Sequence, residues 1–209
     1  NKNLKLGFDP ELFTKKSLKF FFGKTNCSYV PLKKNLIDKI WIRKKNTAKN
    51  KFYILPSCSV GKNYKSKVNK IVANLRKNKA DFQFITASEN NAWLLNIRGN
   101  DTKYTPMPYS YILIDKNKNI TFFCDLKKIT NSFKKNFSKI KFININDAKL
   151  ILSKILKKKF LIDKNTCSFF YEEIIQKNNK ILNQPDITYS LKAIKEKKEI
   201  DNIKRAHIY

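Results

Sequence analysis

Apolar positions in the middle of the chain switch repeatedly between helical and strand spacing. Four apolar residues at helical spacing follow Ser66, which we expect to cap the helix that they predict. They are Val68, Ile71, Val72 and Leu75. Residues 81–86 then alternate apolar and polar side chains, as half-buried strands do. By the same criteria we expect strands at 109–114, 120–124, 140–145 and 160–162, and helices at 88–95, 127–137, 147–156 and 168–176, with Ser88 and Asp147 as caps. Strands interleaved with helices predict an α/β fold with a mixed sheet flanked by helices.

The first forty residues predict a smaller set of elements. Asp9 suits a helix cap and Pro10 suits the first turn, so we expect a helix that runs to about Phe22. A short strand is expected at 27–31, and a compact amphipathic turn at 35–41.

Polar residues without apolar periodicity at 43–51 predict a linker. At the other end, residues 189–209 predict a lysine-rich helix with its apolar residues mostly on one face. Because the chain starts at Asn1 rather than Met and this helix reaches the last residue, we expect a piece of a longer polypeptide.

The formal charge of +29 raises the question of nucleic acid binding. Only four of the 45 basic residues are arginines, whose planar side chain is favoured in contacts with phosphates and base edges. The chain is also rich in Asn and Ile, as a codon preference for A and T would make it. We therefore attribute the lysines to composition and expect no specific nucleic acid partner, with polyanion binding kept as the alternative.

The cysteines lie too far apart in sequence for the short spacing of a zinc site. They are Cys27, Cys58, Cys124 and Cys167. Scattered thiols of this kind predict buried cysteines in a reducing compartment. No apolar run approaches ~20 residues, so we expect no membrane partner.

Candidate catalytic groups are sparse. His207 is the sole histidine, and helical spacing does not bring it to Asp201, its nearest acidic neighbour in sequence. A two-metal hydrolase needs a cluster of carboxylates, and nucleophilic triads need a histidine within a site. We expect the acidic groups at 172–173 and at 196 and 199 to be solvated. The sequence therefore predicts no catalytic residue and no metal ligand in this chain.

Arg98, Asn100 and Asp101 are the candidates for a binding role. With Gly99 they lie between a short predicted helix and a polar loop, and an arginine there can donate up to five hydrogen bonds. The alternative is a turn that only pins the loop.

Four blocks of sequence stand in order along almost the whole chain. They are G-F-D-P at 7–10 with Thr14, V-P-L-K-K-N-L-I-D-K-I-W at 30–41, A-W-L-L-N-I-R-G-N-D-T-K-Y-T-P at 92–106, and K-A-I-K-E-K-K-E-I-D-N-I-K-R-A-H-I at 192–208. Together they resemble the three-domain Xaa-Pro aminopeptidases (aminopeptidase P), which are creatinase/prolidase-like metallopeptidases. Ile97 and Thr105 depart from the family pattern with residues of similar size.

The resemblance implies the end of a first creatinase N-terminal-like domain at 1–45, a second such domain at 46–188 and the first helix of a pita-bread catalytic domain at 189–209. In that family two divalent ions, typically manganese, are held in the catalytic domain by two Asp, one His and two Glu. None of those positions is in this chain. The resemblance therefore implies a non-catalytic N-terminal portion of a cytoplasmic enzyme that removes the residue preceding proline.

The partners that the resemblance implies are the catalytic domain of the same polypeptide and, in the parent enzyme, a proline-containing peptide; a homodimer is left open. Arg98, Asn100 and Asp101 are then expected at the domain interface or near substrate. Two other functions stay open: a creatinase-like protein-binding module without peptidase activity, and a basic nucleic-acid-associated domain.

Overall fold

Six strands form one mixed sheet in the computed structural model, which describes residues 4–41 and 50–208. The described residues also form two separate strand pairs, β1-β2 and β3-β5. In chain order, all these strands are β1 (Leu4–Phe8), β2 (Cys27–Pro31), β3 (Tyr53–Ile54), β4 (Phe82–Ile85), β5 (Ile97–Arg98), β6 (Tyr111–Asp115), β7 (Ile120–Cys124), β8 (Ile140–Asn144), β9 (Lys159–Ile162) and β10 (Lys180–Asn183). The order within the sheet is β10-β9-β4-β6-β7-β8. β4–β6 and β6–β7 are antiparallel and the other neighbours are parallel, which confirms the predicted mixed sheet.

Helices lie on both faces of this sheet. They are α1 (Lys15–Phe22), α2 (Ile37–Ile40), α3 (Tyr64–Lys77), α4 (Ser88–Leu95), α5 (Asn131–Lys135), α6 (Ala148–Ser153), α7 (Phe169–Asn178), α8 (Ile187–Ala193) and α9 (Lys197–Ala206). Alternate strand residues point to opposite faces, so Ile85 and Phe84 of β4 enter different cores. Ile85 packs in the core with α3 and α4, and Phe84 packs in the core with α6 and α7.

The predicted helix starts were wrong where a neighbouring side chain is the better cap. Asn63 accepts the amide of Ser66 at 2.9 Å, so α3 starts before Ser66 rather than at it. Thr14 and Ser17 form a reciprocal capping box, which starts α1 at Lys15 instead of at Asp9. Ser88 is the first residue of α4 and Asp147 makes no capping hydrogen bond through its side chain, so neither is the predicted cap.

Two predicted helices are each divided. In place of the helix predicted at 127–137, the chain forms a 3₁₀ turn at Leu126–Lys128 and then α5, because Thr130 caps a new helix by accepting the amide of Phe133. In place of the single helix predicted at 189–209, the chain forms α8 and then α9, because Glu196 and Glu199 form a capping box that starts α9. Four short strands, β1, β3, β5 and β10, were not predicted. Residues 42–49, most of the predicted linker, lie outside the described residues.

Residues 4–41 contact the sheet domain through α7. The carbonyls of Phe13 and Pro10 accept the amides of Phe169 and Phe170 at 2.7 and 2.9 Å. The prediction of a solvated acidic pair is wrong for Glu172, which is fully buried beneath this contact. Its carboxylate lies 3.2 Å from Lys15 Nζ and 2.9 Å from Lys164 Nζ, so two lysines compensate the buried charge.

Candidate functional site

The turn that carries Arg98 begins where α4 ends. Asn96 adopts a left-handed conformation, with φ of 57° and ψ of 36°, and ends the helix as Asn can without a large steric penalty. The chain then enters β5, in which Ile97 is fully buried and Arg98 is half-buried. Antiparallel pairing with β3 fixes the direction of β5, since Tyr53 pairs with Arg98.

Lys67 holds this turn from α3. Its side chain is buried, and Nζ donates to the Trp93 carbonyl at 2.7 Å and to Asn96 Oδ1 at 2.6 Å. The ammonium group also lies 4.0 Å from the centre of the Trp93 ring. Burial lowers the pKa of Lys67 to about 8. A cation at this position also favourably meets the partial negative charge at the end of α4.

The Arg98 guanidinium stays close to its own turn. Nη1 donates to the carbonyls of Ile97 and Ala92, at 2.9 and 3.3 Å. Burial lowers its pKa, and within residues 4–41 and 50–208 it forms no ion pair with a carboxylate. Three of its five N–H donors therefore have no hydrogen-bond partner in the described part of the chain.

Asp101 anchors the following loop. Its carboxylate accepts the amide of Tyr109 at 2.7 Å and forms an ion pair with Lys128, which precedes α5. Asn100 is exposed. Gly99 lies against Phe52, and a Cβ at this position would stand 2.8 Å from the ring and 3.0 Å from the Pro108 Cα. The loop is thus fixed at both ends by packing and by charge.

The three predicted residues lie in one turn but do not converge on one point. Arg98 bonds to α4, Asp101 bonds to Tyr109 and Lys128, and Asn100 faces outward between them. The turn presents hydrogen-bond donors and acceptors, and it contains no nucleophile with an adjacent base. His207 is exposed at the end of α9. In the ranges 4–41 and 50–208, no three or more His, Cys, Asp or Glu residues are placed to hold a metal ion.

A sequence profile of the Creatinase/Prolidase N-terminal domain matches residues 43–199. This chain belongs to that family.

This member of the Creatinase/Prolidase N-terminal domain family resembles Xaa-Pro aminopeptidases over almost all of its length. It is 27% identical to Xaa-Pro aminopeptidase ApepP of Drosophila melanogaster, over 97% of this chain and 34% of that protein. It is 29% identical to Xaa-Pro aminopeptidase 1 of Dictyostelium discoideum, over 100% of this chain and 35% of that protein. The chain therefore spans about a third of the length of these relatives.

A solved structure has the same fold. The X-prolyl aminopeptidase of Caenorhabditis elegans, described as a cytosolic enzyme with a di-nuclear active site, superposes with a TM-score of 0.87. The match covers 99% of this chain and 35% of that enzyme at 23% identity, and it shows a shared fold over this region. Among the described helices of this family member, none has the length and apolar character needed to cross a membrane.

Sequence patterns did not identify Lys67 or Lys128 as partners of the turn. Lys67 lies one helical turn before Ile71, which places a long side chain beside the apolar face of α3. Its acceptors come from the end of α4, whose position only the tertiary fold defines.

Proposed function

We propose that this chain is the non-catalytic N-terminal portion of an Xaa-Pro aminopeptidase, an enzyme that removes the residue before proline. The observation that carries the proposal is the similarity of nearly the whole chain to one region of two proteins with that name, 97% of it in the Drosophila melanogaster protein and 100% in the Dictyostelium discoideum protein. We divide the chain at 1–45, 46–188 and 189–209, as the end of one domain, a complete creatinase-type domain and the first helix of a catalytic domain. We infer a cytoplasmic location because the C. elegans enzyme is described as cytosolic.

The role proposed for the 46–188 domain is to support the catalytic domain. Arg98 has spare donors, Asn100 is exposed, and the turn that carries both is fixed by Lys67 and Lys128. Groups on a loop that a rigid domain positions are suited to recognition. We assign Arg98, Asn100 and Asp101 to contact with the catalytic domain or to a place near substrate, and we leave subunit pairing as a further role of this domain.

Metal ions enter this proposal only through the catalytic domain. The C. elegans enzyme is described as having a di-nuclear active site, whereas the described residues of this chain offer no ligand cluster for metal. We expect two divalent ions, manganese in this proposal, in the catalytic domain. No step of the reaction is assigned to residues of this chain.

The coding sequence that follows Tyr209 tests the proposal. We expect it to encode the ordered ligand series of two Asp, one His and two Glu, and we expect the longer polypeptide to release the N-terminal residue from Xaa-Pro peptides when manganese is added. A longer polypeptide without that series and without peptidase activity would support the protein-binding module instead.

A further inference from the structure

Lysines gather at one edge of the six-stranded sheet. Five of its strands run in the same direction and begin at this edge, whereas β6 runs the other way and ends there. Each of the six strands has an exposed lysine within three residues of that end. We call these residues, together with Lys177 near the end of α7, the lysine edge: Lys79, Lys116, Lys118, Lys139, Lys157, Lys158, Lys159, Lys177 and Lys180.

The protein neutralises little of this charge. The described carboxylates at the lysine edge are Asp81 and Asp115, and both have local partners. Asp81 accepts the amide of Lys159 at 3.0 Å and forms an ion pair with Lys116 Nζ at 3.0 Å. Asp115 accepts two amides of the β6–β7 turn, at 2.8 and 2.9 Å. Within residues 4–41 and 50–208, the other eight lysines of this edge form no ion pair, so the edge keeps a net positive charge on its surface.

The densest part of the lysine edge is an open depression between β9, β10 and the end of α7. Five lysines line it, and the described lining residues include no Asp or Glu. Backbone hydrogen bonds hold its sides together, because the Lys180 amide donates to the Lys158 carbonyl at 2.8 Å and the Lys157 amide donates to the Asn178 carbonyl at 2.9 Å. Lys180 pairs directly with Lys159 across the two strands. Since paired residues lie about 4.8 Å apart and point to the same face, their charges repel, and a bound anion would relieve this repulsion.

Three lysines of this edge adopt a backbone conformation that lysine disfavours. Lys79, Lys118 and Lys157 have φ of 50°, 69° and 54°. Gly and Asn enter this left-handed region more easily than other residues. The codon preference that raises the lysine content raises Asn as well, so composition alone favours Asn at these positions. Lysine at all three indicates that the positive charge of this edge is used.

We propose that the lysine edge binds the phosphate backbone of nucleic acid without selecting a base sequence. Lysine ammonium groups neutralise phosphates as point charges. The described residues that line the depression include neither arginine, which reads base edges, nor an aromatic ring, on which bases stack. Six strands about 4.8 Å apart make the edge about 24 Å long, and one strand of a duplex places about seven phosphates along that length. An open row of charges of this length suits a long ligand with regularly spaced phosphates.

This binding goes beyond the function proposed above and is compatible with it. The 99–110 loop enters β6 at the opposite edge of the sheet, because β6 ends at the lysine edge. Nucleic acid at the lysine edge therefore does not compete with the contact proposed for Arg98.

Fluorescence anisotropy with the purified 209-residue chain tests the proposal. The probe is a labelled DNA duplex of about 20 base pairs, titrated at potassium chloride concentrations from about 50 to 200 mM. The logarithm of the binding constant should fall linearly with the logarithm of the salt concentration, with a slope of about −4 to −5 if the five lysines of the depression neutralise phosphates. A second duplex of unrelated sequence should bind equally well.

Two double variants with the same net charge distinguish this edge from general attraction between a basic protein and DNA. Lys158→Gln/Lys177→Gln removes two exposed lysines of the depression. It should weaken binding by about tenfold or more at about 100 mM salt and make the salt slope shallower by about 2. Lys65→Gln/Lys127→Gln removes two exposed lysines near the opposite edge of the sheet and should change the affinity by less than about threefold.

Three results would overturn the proposal. The first is no binding of the duplex at about 50 mM salt, where phosphate contacts are strongest. The second is equal weakening by the two double variants, which would show that only net charge matters. The third is tighter binding to phosphatidylserine vesicles than to DNA through the same lysines, which would make the partner a membrane surface.

Discussion

The ammonium group of Lys67 lies 4.0 Å from the centre of the Trp93 ring and donates a 2.7 Å hydrogen bond to the carbonyl of the same residue. The ring face, the carbonyl and the Asn96 amide oxygen all attract a cation. Burial of Lys67 opposes them and lowers its pKa from 10.5 to about 8. One buried lysine therefore fixes the end of α4 and the turn that carries Arg98.

Lys67 should make stability depend on pH in a defined window. Between about 8 and 10.5 the unfolded chain keeps a proton on this amine that the folded protein has lost, so stability rises with pH. Below about 8 both states are protonated, and the cost of burying the charge is constant. The free energy of unfolding of the wild type, relative to Lys67→Met, should therefore increase from pH 8 to 10.5 in urea titrations. Lys65→Met, at an exposed position on the same helix, is the control. The unfolding free energy of the wild type relative to Lys65→Met should not increase over this pH range.

Gly99 should be intolerant of a side chain. A Cβ would stand 2.8 Å from the Phe52 ring and 3.0 Å from the Pro108 backbone, so Gly99→Ala should cost about 1 to 3 kcal/mol of unfolding free energy. At Gly7 the nearest atoms, at 3.1 Å, belong to the flexible Leu32 side chain, and Gly7→Ala should cost less. Equal losses of unfolding free energy for Gly99→Ala and Gly7→Ala in denaturant titrations would show that the turn at Gly99 has room for a side chain.

The neighbouring carboxylates of α7 should differ sharply in their effect on stability. Glu172 is fully buried between Lys15 and Lys164, whereas Glu173 is exposed and contacts Lys15 from outside. Glu172→Gln should lower the unfolding free energy by about 1 to 3 kcal/mol, because it leaves two lysines beside an uncharged group. Glu173→Gln should change it by less than about 0.5 kcal/mol. A similar effect of both substitutions would contradict the buried ion pair.

The sequence was sufficient for elements whose signal is local. Val68, Ile71 and Leu75 repeat at helical spacing and do form the buried face of α3. β10 escaped prediction because its four residues, K-I-L-N, show no distinctive alternation and are held by pairing with β9. The burial of Glu172 and the Asp163–Asp186 contact also depend on segments that the fold brings together from far apart in sequence.

The candidate site, like the fold, was predictable from the sequence only where its signal is local. The sequence located the polar turn at Arg98, Asn100 and Asp101 because it follows an apolar helix. It did not locate Lys67 or Lys128, since a lysine on a helix is ordinarily solvated and only tertiary contact distinguishes these two.

Arg98→Ala should separate recognition from folding. In the complete enzyme we expect lower peptidase activity, because the contact proposed for the guanidinium is lost. In this chain the unfolding free energy should change by about 0.5 kcal/mol or less. The substitution removes only one hydrogen bond to the Ala92 carbonyl and one to the Ile97 carbonyl, both at a half-exposed site. Arg76→Ala, at an exposed position of α3, is the control and should leave activity unchanged. Full activity of the Arg98→Ala enzyme would show that Arg98 makes no contact with the catalytic domain that activity requires.

Release of the N-terminal residue from an Xaa-Pro peptide is the most direct test of the central claim, that this chain is a portion of an Xaa-Pro aminopeptidase without its chemistry. The purified 209-residue chain should release no residue with or without manganese, because its described residues provide no metal cluster. The polypeptide extended through its downstream coding sequence should release it under the same conditions. Proline-dependent release by the 209-residue chain, above that of a mock preparation, would contradict the account.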